Sequence, residues 1–258
     1  MNISTFVFSP TNTTATVVQA ILSQFPKSEI TETDWTQSQN CKIPTKTDLV
    51  LLGVPVYSGL APATVIERIK NLKGNQTPIV LISVFGNRGA DTATRELYEI
   101  TSKNGFIPIA AAEFIGEHSF STPTHPIADG RPDSKDLQMA KAFGSKIKAS
   151  LETELIALNS SNFDQAPHRE RNPMKLDPPF KDLEKCTHCG KCEPVCPQNI
   201  WPIGNSNKID ECIGCCACIK VCEDDALSQQ EIINNYSVKL NQMCQDRKEP
   251  KLILPSQI

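Results

Sequence analysis

The sequence contains no long apolar run and no secretory start. No stretch approaches the roughly 20 apolar residues that a membrane-spanning helix needs. The longest candidate, residues 49–56, is interrupted by Gly53 and Pro55. The first residues carry no charged start before an apolar run, which argues against secretion. We therefore expect a cytoplasmic protein without a membrane span.

Basic clusters and two common enzyme motifs are also absent. Residues 1–150 hold 14 Lys and Arg against 13 Asp and Glu, and residues 151–258 hold 12 against 16. This distribution argues against a nucleic-acid partner, and the acidic second half favours a partner with a basic docking face. No Gly-x-Gly-x-x-Gly follows a predicted strand, which argues against direct NAD(P)H binding. No serine-nucleophile elbow motif is present, and we assign no catalytic residue.

Cysteine, in contrast, is abundant, and eight of the 11 cysteines form two copies of the spacing C-x2-C-x2-C-x3-C. A zinc ribbon needs four ligands in two pairs, and disulfides suit a secreted chain. The spacing is the ligand run of bacterial ferredoxins, in which the fourth cysteine of each copy ligates the other copy's cluster. It predicts two 4Fe–4S clusters, the first held by Cys186, Cys189, Cys192 and Cys222, and the second by Cys212, Cys215, Cys218 and Cys196.

The two copies form an internal repeat with small departures. Gly190 aligns with Cys216, which makes Cys215 the predicted ligand and Cys216 a small residue packed beside the cluster. Glu223 stands where two-cluster ferredoxins have a proline. His188, inside the first loop, is either a solvated side chain or a hydrogen-bond donor to a cluster sulfur.

Residues 1–158 alternate between short apolar strands and amphipathic helices. The pattern predicts strands at 3–8, 28–35, 48–56, 78–84 and 106–114. It predicts helices at 16–25, at 62–72, from the end of the loop 85–89 to about residue 102, and at 133–158. This alternation predicts an α/β fold with a doubly wound parallel sheet of five strands. In the flavodoxin-like order 2-1-3-4-5, the loops after strands 1, 3 and 4 meet at one edge, where such folds bind ligands.

The loop at residues 9–14 is rich in hydroxyls and precedes a helix, whose N-terminus suits a phosphate. It is similar to the FMN phosphate loop of flavodoxins, Ser/Thr-x-Thr-Gly-x-Thr, with Asn12 at the glycine position. Asparagine tolerates the left-handed backbone better than most residues. The resemblance implies FMN, and the expected contacts are Ser9, Thr11, Asn12, Thr13, Thr14, Pro55, Val56, Tyr57, Ser58, Gly59, Phe85, Gly86, Asn87, Arg88 and Gly89.

For two side chains in these loops the sequence allows two alternative roles. The Tyr57 ring either stacks on the flavin or covers the end of the sheet. Arg88 either lies near the flavin pyrimidine edge or forms a surface ion pair. His118 and Ser119, in the loop after the fifth strand, are expected to line the same cleft.

The remaining chain divides into three parts. Residues 159–179 form a Pro-rich linker, residues 180–230 a small α+β ferredoxin domain with two clusters, and residues 231–258 a C-terminal helix and tail. The whole chain resembles the ferredoxin-fused flavodoxins of anaerobic microbes. That family is understood as electron-transfer proteins with FMN and two 4Fe–4S clusters, so the resemblance implies a redox protein as donor or acceptor. A homodimer is left open.

Two other functions are compatible with these patterns. The first is a flavin-dependent reductase that acts on a small substrate bound over FMN, with residues 116–129 as a lid. The second is a binding module whose flavodoxin-like domain does not hold FMN. Flavin absorbance in protein purified without oxygen distinguishes the binding module from the electron carrier and the reductase, which both hold FMN.

Overall fold

The computed structural model describes residues 1–153, 155–171, 176–201 and 211–255. Its first part alternates strands and helices, as the sequence predicts. The elements are β1 (Asn2–Val7), α1 (Thr13–Leu22), β2 (Glu29–Asp34), β3 (Leu49–Pro55), α2 (Ala63–Asn71), β4 (Pro78–Phe85), α3 (Ala93–Lys103), β5 (Ile107–Ile115) and α4 (Ser134–Leu151).

The first five strands form a parallel sheet in the order β2-β1-β3-β4-β5. Strand β3 is buried along its whole length, which explains why its sequence is a continuous apolar run. The strand order and parallel register make this a flavodoxin-like doubly wound fold. The predicted fold class is confirmed.

Helices cover both faces of the sheet. On one face, α1 and α4 bury residues such as Val17, Ile21 and Phe143. On the other, α2 and α3 bury Ile69 and Leu97. Each face is therefore a separate apolar core, and the loops at the carboxyl ends of the strands are left to form a site.

Helix α4 is shorter than predicted. A capping box at Asp133 begins it, but the helix ends at Leu151, whereas the sequence predicted an end at Leu158. Leu158 is buried, and its N–H donates to the Pro108 carbonyl at 2.7 Å. Docking of this apolar residue beside β5 replaces the last helical turns.

A sixth strand, β8 (Lys251–Ile253), completes the sheet from the C-terminal tail. It pairs antiparallel with β5, with Ala111 opposite Ile253 and Glu113 opposite Lys251. The predicted sheet of five strands is therefore extended by one. The added strand covers the β5 edge, which would otherwise present unpaired backbone groups.

The cysteine-rich part is small and mixed. It contains a two-stranded antiparallel sheet of β6 (Phe180–Lys181) and β7 (Leu227–Ser228), and the short helix α5 (Ala217–Lys220). Its apolar cluster includes Ile200, Trp201 and Leu227 together with the sulfurs of Cys196 and Cys218. The predicted C-terminal helix is α6 (Glu231–Met243). Among the described residues, no helix has the length and apolarity needed to cross a membrane.

Candidate functional site

The loop after β1 folds as a cap on helix α1. Asn12 has a left-handed backbone at the N-cap (φ 64°), and its carbonyl accepts from the Thr16 N–H at 3.0 Å. The Ser9 hydroxyl accepts from the Ala15 N–H, also at 3.0 Å. Asparagine thus adopts a backbone conformation that glycine reaches without strain.

Thr14 gives the clearest sign of a phosphate position in this loop. It is fully buried at the start of α1, and its hydroxyl has no hydrogen-bond partner among the described residues. A buried hydroxyl without a partner is costly, whereas a helix N-terminus favours an anion. A phosphate would satisfy both, so the residues present fit the phosphate end of FMN.

The other two loops predicted to bind the nucleotide, after β3 and β4, are packed more tightly than the sequence suggests. A Cβ added to Gly59 would lie 2.8 Å from the Arg169 side chain and even closer to Asp91. A Cβ added to Gly86 would lie 2.3 Å from the His118 ring. Flavin contact with these two glycines stays a prediction, since the Cβ side of Gly59 is occupied by Asp91 and Arg169 and that of Gly86 by His118.

Asn87 is buried and holds the C-terminal segment. Its amide donates to the carbonyls of Cys244 at 2.8 Å and Asp246 at 2.9 Å, and its oxygen accepts from the Lys248 N–H at 3.3 Å. Because both amide hydrogens are engaged, the predicted contact with FMN can involve only the side-chain oxygen or the backbone.

Arg88 and His118 lie beside this loop. The Arg88 guanidinium forms an ion pair with Asp91 at 2.7 Å, which agrees with the second of the two predicted roles. Burial, followed by the positive charges of Arg88 and Lys220, lowers the pKa of His118 from 6.5 to about 4. Nδ1 of His118 accepts from the Phe120 N–H at 3.0 Å, so the neutral ring carries its proton on Nε2.

Five cysteines line the same small cavity, one from the first run and four from the second. These are Cys196, Cys212, Cys215, Cys216 and Cys218. The grouping contains the four cysteines predicted to hold the second cluster, and four thiols are the donor set of a 4Fe–4S cluster. Within the described ranges, no three His, Cys, Asp or Glu side chains converge closely enough to hold a single metal ion. The assignment of individual ligands stays a prediction.

Polar contacts bring the first run next to the end of the second. Lys191 pairs with Glu223 at 2.6 Å, and the Thr187 hydroxyl donates to Asp224 at 2.6 Å. Residues of the first loop therefore contact the residues that follow Cys222, as an exchange of fourth ligands requires. Glu223, the departure from the ferredoxin proline, is thus the exposed partner of Lys191 in this ion pair.

Burial raises the pKa of the Cys215 and Cys218 thiols to about 12. Both thiols therefore stay protonated at neutral pH in the absence of metal. Thiols that bind metal are deprotonated. Binding of iron at these positions would release protons and would become more favourable as the pH rises.

The second cysteine run contacts the flavodoxin-like domain. Ile213 packs against the core formed with α2 and α3. A Cβ added to Gly214 would lie 3.6 Å from the Phe120 ring, and Lys220 pairs with Glu117 at 2.5 Å. The run is therefore seated against the loop that follows β5.

Tyr57 lies where this contact meets the loop after β3. Burial is the main cause that raises the pKa of Tyr57, and the Cys215 and Cys216 thiols raise it further. Its backbone forms a two-residue turn by pairing with Leu60 in both directions, at 2.9 and 3.1 Å. The ring that was predicted to stack on the flavin is thus also a neighbour of the second cysteine run.

A groove of about 650 Å³ runs between residues 117–129 and the second cysteine run. Its volume is in the range of small-molecule sites. Ser119 lines it, whereas His118 is packed against Gly86 beside it. The side-chain oxygen of Gln229, which also lines the groove, is buried and has no hydrogen-bond partner among the described residues. The groove therefore offers an acceptor to a ligand that carries an N–H or O–H.

Sequence reasoning did not anticipate which cysteine run would meet the flavodoxin-like domain. A signal was nevertheless present in the repeat. The first copy has Thr187 and Lys191 at the positions where the second has Ile213 and Ala217. Apolar residues at equivalent positions of one copy indicate that this copy is buried.

Comparison with known proteins agrees with the cysteine motif. Residues 179–201 match the family described as the 4Fe-4S binding domain. A ferredoxin from Chlorobaculum thiosulfatiphilum is 42% identical to this chain over 36 residues. That match spans 14% of this chain and 59% of the ferredoxin.

Solved structures are similar to the first part of the chain. A flavodoxin from the domain Archaea has 13% identity and a TM-score of 0.43, and covers 59% of this chain and 100% of its own. Flavodoxin 1 from Bacillus cereus has 14% identity and a TM-score of 0.45, and covers 58% of this chain and 98% of its own. The fold assignment itself rests on strand order and register. The chain therefore joins a flavodoxin-like domain to a ferredoxin-type 4Fe–4S binding segment.

Proposed function

We propose that the chain is an electron-transfer protein that holds two 4Fe–4S clusters and FMN. One observation carries this proposal. The second cysteine run is seated at the same domain edge as the predicted nucleotide loops, against the loop after β5, where Lys220 pairs with Glu117 and Gly214 lies beside Phe120. Electron transfer requires redox groups that are held close together, and this interface would hold them so.

The proposed ligand sets are those that the repeat predicts. Cys186, Cys189, Cys192 and Cys222 would hold one cluster, and Cys212, Cys215, Cys218 and Cys196 the other. When bound, the clusters supply one-electron chemistry and FMN supplies one- or two-electron chemistry. The grouping of Cys196 with the second run around one cavity supports the exchange of fourth ligands.

The remaining residues bind, orient and exclude water. The Thr14 hydroxyl and the N-terminus of α1 would hold the phosphate. Ile213 and the buried residues Gly214 and Ala217 keep water away from the second run. The ion pair between Lys220 and Glu117 fixes this run against the loop after β5.

Cofactor analysis of protein purified without oxygen tests the proposal. We expect flavin absorbance together with about eight iron atoms per chain, since each cluster contains four. Iron without flavin would favour the binding-module alternative, in which the flavodoxin-like domain docks a partner instead. Absence of both would contradict the proposal entirely.

A second candidate function is reduction of a small substrate bound over FMN, and the groove at residues 117–129 favours it. Its unpaired Gln229 oxygen would select a ligand with a hydrogen-bond donor. Flavin absorbance would then shift on addition of neutral amides or heterocycles, and Gln229→Glu would change the ligand preference. Spectra that no small molecule perturbs would leave electron transfer as the function.

A further inference from the structure

The two cysteine runs are alike in spacing but opposite in exposure. Residues 188–191 of the first run are all exposed, and Cys189 is among them. The equivalent residues 214–217 of the second run are all buried, and include Cys215 and Cys216. A symmetric ligand motif is therefore placed asymmetrically, with one copy on the surface and the other inside.

The flavodoxin-like domain and the linker cover the second run. Ile213 packs on the domain core, and Gly214 lies against Leu176 so closely that a Cβ there would approach to 2.3 Å. Lys220 pairs with Glu117, whose neighbour His118 packs against Gly86 in the loop after β4. This run therefore faces the loops at the carboxyl ends of β4 and β5.

The first run lies beside an exposed apolar patch with acidic neighbours. Phe180 is 61% exposed and Leu183 is 71% exposed, and both precede Cys186. Glu184, just before this run, and Glu193, within it, are exposed. Residues 180–193, together with residues 223–225 that contact the first loop, hold six Asp and Glu against three Lys. Apolar groups within an acidic surrounding are complementary to a partner whose apolar contact is ringed by basic residues.

We propose that the second run is the inner redox site, which serves the nucleotide loops, and that the first run is the outer site. The outer docking surface, formed by Phe180, Leu183, Glu184, Cys189 and Glu193, receives a one-electron carrier protein with a basic face. One electron passes between that carrier and the outer site, with no bond made or broken. This inference rests on the proposed function, because it assumes that both runs hold clusters.

A kinetic experiment tests the docking surface. The chemically reduced holoprotein is mixed without oxygen with a strongly basic cytochrome c, and the second-order rate of cytochrome reduction is followed by absorbance. At low ionic strength we expect Glu184→Lys and Glu193→Lys each to slow the reaction about 3- to 10-fold, and the difference to disappear at high salt. Glu29→Lys is the matched control, since Glu29 is exposed on the β2 edge of the sheet.

The kinetic result can overturn the proposal in two ways. Equal slowing by Glu29→Lys would mean that the charge of the whole protein acts, and not this surface. Slowing that accompanies the loss of a dimer in size-exclusion chromatography would assign the surface to a second copy of the chain.

A spectroscopic experiment tests the inner and outer positions without relying on activity. Electron paramagnetic resonance signals of the two reduced clusters are assigned through Cys189→Ser and Cys215→Ser, each of which alters one signal. A soluble dysprosium complex then accelerates relaxation of clusters near solvent. We expect strong acceleration for the signal altered by Cys189→Ser and little for the other. If these variants do not fold, the charge variants still test the proposal.

Failure of this inference is distinguishable from failure of the proposed function. Iron and flavin are counted in the same preparation before either experiment. Two clusters with equal relaxation would overturn the inner and outer positions while leaving electron transfer intact. A preparation with no clusters would contradict the proposed function, and this inference with it.

Discussion

Gly190 and Cys216 occupy equivalent positions of the repeated cysteine motif, and both have a left-handed backbone, with φ values of 74° and 57°. Glycine adopts this conformation freely, whereas a residue with a Cβ is strained by about 1–2 kcal/mol. Cys216 is nevertheless only 5% exposed, and its sulfur lies 3.5 Å from the Gly214 carbonyl oxygen. Its packing offsets the strain, and Cys216 lines the same cavity as the predicted ligands Cys215 and Cys218, so its role as a packing residue and not a ligand stays a prediction.

Cys216→Gly should therefore leave the iron content unchanged. The substitution removes the left-handed strain and a thiol that the repeat does not count as a ligand. Iron and sulfide analysis of the anaerobic protein measures the outcome, and Cys215→Ala is the matched control that should lose one cluster. If Cys216→Gly lost about four iron atoms per chain, the two neighbouring thiols would have been assigned in the wrong order.

Cys196→Ala should damage the second cluster although Cys196 belongs to the first run. The reason is that Cys196 lines one cavity with Cys212, Cys215 and Cys218. Iron counting and electron paramagnetic resonance check this, with Cys41→Ala as a control outside both runs. Loss confined to the cluster held by Cys186, Cys189 and Cys192 would rule out the exchange of fourth ligands.

Thr11→Asp should weaken FMN binding by about tenfold or more, because a carboxylate would compete with the phosphate for the positive end of α1. The flavin-free protein is titrated with FMN, and the change in flavin fluorescence gives the dissociation constant of the FMN complex. Thr45→Asp is the matched control, since this exposed residue precedes β3 at the opposite end of the sheet. Equal affinities in the two variants would show that residues 9–14 do not bind the phosphate.

His118 should make folding stability depend on pH. Its pKa is about 4 in the folded chain and 6.5 when unperturbed. Below pH 6.5 the unfolded chain binds a proton that the folded chain does not, so stability falls as the pH drops from 6.5 to 4 and then levels. Between pH 7 and pH 5 the loss is about 2 kcal/mol.

Urea unfolding of the wild type and of His118→Gln at both pH values measures this effect. The variant should lose less stability than the wild type between pH 7 and pH 5, because its amide does not titrate. His125→Gln, in the same loop, is the control. Parallel losses in the wild type and His118→Gln would mean that other groups cause the pH dependence.

The central sheet was predictable because burial and sequence carry the same information there. Leu49–Pro55 is apolar throughout because both faces of β3 are covered. Strand β8 was not predictable, since three residues give no periodicity and its partner β5 lies far away in the chain. Its docking depends on long-range contacts such as those of Asn87 with Cys244 and Asp246.

The candidate site, like the fold, was predictable from the sequence only in part. The cysteine spacing predicted the grouping of Cys196 with the second run, because in this motif the fourth cysteine of each copy ligates the other copy's cluster. The tight packing of Gly86 against His118 was not evident, since a glycine in a loop permits close approach by a ligand or by a side chain alike. Which neighbour a glycine admits is decided by tertiary structure.

A stepwise reductive titration of the anaerobic protein tests the central claim most directly. With FMN and both clusters present, the chain should accept about four electrons, two on flavin and one on each cluster. The acidic surroundings of the clusters oppose added negative charge, so flavin reduction should begin before the clusters fill. The account predicts an endpoint near four electrons with full bleaching of the flavin. An endpoint of about two electrons, with iron–sulfur signals alone, would contradict it.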